Sequence, residues 1–144
     1  MAQLYYRYST MNAGKSTELI KVAHNYEERG KNVFCLIPEI ACDEGKPVIS
    51  SRIGISREAQ IVSQRDNILT MFADLNTIKK IDCVLVDECQ FLTKQNVEQL
   101  SEIVDSFDVP VICYGLKNDF RNQLFEGAYH LLVFAQLPDR KSVV

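Results

Sequence analysis

The sequence predicts an α/β fold, a parallel sheet with helices on both faces. Two observations predict it. Short uninterrupted apolar runs recur along the chain, and segments of helical period separate them. Runs of this kind suit strands buried on both faces, and strand alternating with helix implies βαβ units with right-handed crossovers.

The elements follow in order. Leu4 to Tyr8 (LYYRY) reads as a short aromatic strand, and a helix follows in which Leu19, Ile20, Ala23 and Tyr26 share one face. Gly30 is placed to stop that helix. Val33 to Ile37 (VFCLI) is the second strand. Ala41 to Ser56, with Gly45, Pro47, Gly54 and three serines, reads as a long irregular loop, and loops of that length in compact domains are often functional. Ile68, Leu69, Phe72 and Leu75 form a second helical stripe. Cys83 to Val86 is a third strand, Val97, Leu100, Val104 and Phe107 a third stripe, and Val111 to Tyr114 a fourth strand.

The chain has 144 residues, enough for one domain with a real core, and is 47% hydrophobic and 24% charged. Sixteen basic and nineteen acidic residues are interspersed, for a net charge of −3. No basic face is evident, which argues against nucleic acid as the main partner and leaves small anionic ligands open. No apolar run reaches membrane-spanning length, and MAQLYYRY lacks the layout of a signal peptide, so the expected location is the cytoplasm. The five cysteines (35, 42, 83, 89 and 113) are odd in number and include no Cys-x-x-Cys pair. Reduced core thiols are expected, not a disulfide framework or a zinc site.

Two segments carry chemistry. "YSTMNAGKST", Tyr8 to Thr17, lies between the first strand and its helix, with Ser9 where a phosphate loop usually has its first glycine. Main-chain amides and a helix N-terminus make an anion cradle, which tolerates that change. Gly14 allows close backbone approach, Lys15 reaches the outer phosphates, and the Ser16 hydroxyl is a ligand for Mg²⁺. The companion is "IDCVLVDECQF", Ile81 to Phe91, which sets Asp87 and Glu88 at a strand's carboxyl end. Neighbouring strand side chains point to opposite sides, so the two acids should differ in role. Asp87 is the candidate metal-linked acid and Glu88 the candidate general base. A Gly-Lys-Ser or a single acidic turn alone arises readily by chance; the pair is specific. Attack by water would make an ATPase, and attack by a bound hydroxyl a kinase.

"MNAGKSTELI", "VLVDECQFLT" and "CYGLKNDFR" together resemble the type II thymidine kinases, most closely the bacterial ones, over roughly Met1 to Tyr129. The resemblance implies a RecA-like P-loop sheet followed by a small zinc-bearing subdomain, assembly as homotetramers, and Mg²⁺-dependent transfer of the ATP γ-phosphate to the 5′-hydroxyl of thymidine. It implies that Ser9, Thr10, Met11, Asn12, Ala13, Gly14, Lys15 and Ser16 hold ATP, with Asp87, Glu88, Cys89 and Gln90 as the acidic turn beside it. Met11, Phe91, Leu116, Phe120 and Phe125, with Arg52, then surround the thymidine. Apolar walls suit a flat methylated base.

Two departures stand out. Where the family carries Asp-x-Arg after the second strand, this chain has Ala41 and Asp43, while Arg52 in "SSRIG" matches a later family segment. The family's zinc cysteines and thymine-gripping lasso loop have no counterpart in "LLVFAQLPDRKSVV". The organisation expected is a nucleoside kinase domain over 1–130 and a divergent tail over 131–144, the zinc and lasso subdomain being absent. The alternatives are an ATP-binding remnant or interaction module without kinase activity, and a helicase-type ATPase, which normally needs two such domains.

Overall fold

Residues 1–9, 14–119 and 121–135 are described in the computed structural model. Five parallel strands form the main sheet among them, in the order β1-β7-β6-β2-β5. These are β1 (Leu4–Ser9), β2 (Val33–Pro38), β5 (Gln60–Val62), β6 (Cys83–Val86) and β7 (Val111–Leu116). Between β2 and β5 lie two 3-10 turns, Glu39–Ala41 and Asp43–Gly45, and an antiparallel hairpin of β3 (Val48–Ser50) and β4 (Ser56–Glu58). The helices are α1 (Lys15–Glu28), α2 (Ile68–Ile78), α3 (Lys94–Phe107) and α4 (Glu126–Ala135).

Strand alternation sorts the apolar runs into two cores. Cys35, Ile37, Cys83, Leu85 and Tyr114 face α1 and meet its Leu19 and Ala23. Phe34, Leu36, Val84, Val86, Val111 and Cys113 face the other way, onto Ile68 and Phe72 of α2, Val97, Leu100 and Ile103 of α3, and Leu131 of α4. Helices therefore cover both faces, as the sequence implies. Every residue of β6 is fully buried, so cutting Leu85 back to alanine removes about 2–5 kcal/mol.

The four predicted strands and three predicted helices are present. Leu75 and Phe107, placed on apolar stripes, are partly exposed, although Phe107 stacks edge-on against Phe72 at 4.9 Å. Ala41 to Ser56 is more ordered than expected: the turn Asp43–Gly45 and β3 lie within it, and Ile49 is buried against α1. β5 and α4 are additional. α4 continues to Ala135, past residue 130.

Helix ends differ in a way that matters. Asn67 caps α2 by accepting from the Thr70 amide, and Thr93 with Asn96 forms a reciprocal capping box on α3. α1 starts at Gly14 (φ 72°) with no side-chain cap, which leaves its first amides for an anion.

Candidate functional site

The site lies at the carboxyl ends of β1, β7 and β6, where an open α/β sheet binds its ligands. β7 stands between the strand that leads into the phosphate loop and the strand that ends in the acids.

Across that gap the Ser16 hydroxyl donates to Asp87 Oδ2 at 2.8 Å. Asp87 is only 3% exposed, and its backbone amide donates to the Leu36 carbonyl at 2.9 Å. Burial pushes its carboxyl up to about 6, with the Ser16 bond opposing and the neighbouring Glu88 charge reinforcing. Two oxygen donors converging on one point, one of them a carboxylate held out of water, fit a hard divalent cation, which would favour the ionised form. Among the described residues no group of three or more His, Cys, Asp or Glu side chains forms a metal cluster.

Glu88 takes the left-handed region (φ 51°) at the turn that follows β6. The Gln90 amide donates to Glu88 Oε2 at 2.7 Å, and the Gln90 carbonyl oxygen accepts from the Leu116 amide at 3.1 Å. Gln90 therefore joins the ends of β6 and β7 and fixes the acid's direction. Room for this comes from two glycines. A β-carbon on Gly115 would stand 2.4 Å from Gln90 Oε1, and one on Gly127 would stand 2.3 Å from the Cys89 carbonyl.

A cleft of about 500 Å³ opens over these groups, bounded by Ser16, Asp87, Glu88 and Phe91 on one side and by Asp43, Lys46 and Ser50 on the other. A smaller pocket sets Arg52, Ser50 and Ser51 against Gly14 to Thr17.

The residues expected from sequence divide accordingly. Ser16, Asp87, Glu88 and Phe91 border the cleft, and Gly14 and Lys15 line the smaller pocket. Phe91 and Phe125 meet edge to face, with ring centroids 5.8 Å apart. Leu116 ends β7, its amide donating to Gln90 and its carbonyl accepting from the Tyr6 hydroxyl at 3.0 Å. Arg52, expected around the thymidine, lines the smaller pocket against Gly14 to Thr17. Cys89 is wholly buried in the core, its thiol pushed far up by burial. Gln90, 3% exposed, donates to Glu88. Thr10, Met11, Asn12, Ala13 and Phe120 lie outside the described residues, as does the Ser9 side chain.

Sequence reasoning missed Lys46 and Ser50, although it marked their stretch as a functional loop. It also missed the Glu27–Arg57 ion pair, for which no local signal exists.

A helix without a side-chain cap after the first strand, facing a buried acid across one intervening strand, matches a P-loop-like α/β fold. The thymidine kinase family model matches residues 2–138. A thymidine kinase of Shewanella oneidensis is 50% identical over 135 residues, covering 94% of this chain and 70% of the relative. Thymidine kinases of Streptococcus pyogenes and Streptococcus agalactiae are each 52% identical over 139 residues, covering 96% of this chain and 72% of the relative. The chain belongs to the thymidine kinase family.

Proposed function

We propose that this chain transfers the γ-phosphate of ATP to the 5′-hydroxyl of thymidine, a salvage reaction that supplies DNA synthesis. The observation that carries the reading is the Ser16–Asp87 contact with Glu88 turned aside into the same cleft. Family membership supplies the substrate class.

The division of labour follows from position. The free amides of α1 and the Lys15 ammonium grip the phosphates of the donor. Ser16 and Asp87 would hold Mg²⁺, which neutralises charge on the β- and γ-phosphate oxygens when bound. Glu88, held by Gln90, accepts the proton of the 5′-hydroxyl. That oxygen bonds to the γ-phosphorus while the bond from phosphorus to the bridging oxygen breaks, and ADP leaves with the electron pair. Phe91, Leu116 and Phe125, with Met11 and Phe120 from outside the described residues, wall the base. Arg52 contributes positive charge at the phosphate loop. The cytoplasmic location and tetrameric assembly of the family belong to the same proposal.

The test is direct. Purified chain, MgATP and labelled thymidine should give thymidine monophosphate and ADP in equal amounts, and Glu88→Gln should slow this by about 10²–10⁴-fold. ADP without thymidine monophosphate would establish an ATPase instead; neither product would overturn the assignment.

A further inference from the structure

The β3–β4 hairpin forms a wall of both openings at the site. Ser50 lines the cleft above Asp87 and Glu88, and Ser50, Ser51 and Arg52 line the pocket against Gly14 to Thr17. The hairpin pairs with neither edge of the main sheet; Ala59 alone joins β4 to β5, and contacts with α1 set how the rest of it lies.

Two ties are visible, and they lie directly opposite each other. Ile49 and Arg57 are cross-strand partners and share a face. Ile49 is fully buried against Leu19 and Ala23 of α1. Arg57 forks onto Glu27 in the last turn of α1, with Nη1 donating to Oε1 at 2.9 Å and Nη2 to Oε2. The guanidinium is 22% exposed and the carboxylate 45%, so the pair is partly shielded from solvent. A bidentate guanidinium–carboxylate pair adds direction that a sliding apolar contact lacks.

From Ser16 to Glu27, α1 rises about 16 Å. The hairpin turns at residues 52–54, closed by the Ser51 amide donating to the Ile55 carbonyl at 2.9 Å. One helix therefore carries Ser16 near its start and the ion pair near its end, and the hairpin faces both.

We infer that the Arg57–Glu27 pair is a latch that registers the hairpin along α1 and so sets Arg52 at the donor phosphates. Arg57 is thus a positioning residue. This rests on the phosphotransfer reading above.

The experiment is a double-mutant cycle between Arg52 and Arg57. Arg57→Ala should raise the KM for ATP about tenfold and leave the KM for thymidine within about twofold. In an Arg52→Ala background the same change should have little further effect, because the latch acts through Arg52. Equal losses in both backgrounds, or an unchanged KM for ATP, would overturn the latch. Glu27→Gln, nearly isosteric and half-exposed, repeats the test should Arg57→Ala fold poorly. Titration with Mg²⁺ and the non-hydrolysable analogue AMP-PNP separates the two levels of inference. If the wild type makes no thymidine monophosphate, the phosphotransfer reading fails, yet the cycle in AMP-PNP affinity still decides the latch.

Discussion

The side-chain amide of Gln90 donates to the Glu88 carboxylate at 2.7 Å, and its other end accepts from the Leu116 amide. One buried residue therefore ties the candidate base to the end of the neighbouring strand. Gln90→Leu breaks both bonds and strands a main-chain donor, a cost of about 1–3 kcal/mol. The larger effect should be catalytic: kcat falling roughly 10²-fold as Glu88 loses its aim, with the KM for ATP little changed. Steady-state kinetics on the variant check this, and a KM-only defect would speak against it.

Gly127 offers a purely steric test. Its hypothetical β-carbon meets the Cys89 and Gln90 main chain at 2.3 to 3.0 Å, and backbone cannot step aside as a flexible side chain can. Gly127→Ala should destabilise the chain by about 1–3 kcal/mol, read by urea denaturation. The same change should reduce activity by moving the acidic turn. Full stability would mean that α4 does not pack this tightly in solution.

Asp87 gives a pH signature. Folded, it keeps its proton up to about pH 6; its ordinary value is 3.8. The stability linked to that proton is complete below 3.8 and lost as pH rises through 6. Asp87→Asn should therefore make the nucleotide-free protein more stable at pH 8 by about 1–3 kcal/mol. Denaturation in EDTA from pH 4 to 8 measures it, and parallel curves for the two proteins would contradict the buried ionised carboxylate. In the presence of MgATP the order should reverse.

Lys15→Ala addresses the phosphate grip alone. It removes a charge from a half-exposed position at the start of α1, so unliganded stability should hold within about 0.5 kcal/mol. Thermal protection by MgATP should disappear. Retained protection would place the nucleotide elsewhere.

Much of the fold was legible because β2, β6 and β7 are nearly continuous apolar runs, which only a doubly covered sheet buries. α4 was not, since "EGAYHLLVFA" has Tyr129 and Val133 facing outward and shows no polar period. β5 has three residues, too few to declare themselves, and the hairpin hid among glycine, proline and serine. At the site, Asp87 and Glu88 could be read because a strand leads straight into them. The burial of Cys89, which the turn after β6 carries into the core, could not. Nor could Glu27 and Arg57, thirty positions apart and joined only when the hairpin folds along α1.

The placing of β7 between β1 and β6 has one last effect. Strands in a sheet are spaced about 4.8 Å apart, so the donor-gripping and acid-bearing strands are separated by roughly 10 Å. Main-chain hydrogen bonding is thus the gauge that sets the span of the reaction chamber. Lengthening a surface loop should leave that gauge untouched, whereas a bulky replacement wedged beside β7 would widen the chamber and pull the two reactants apart.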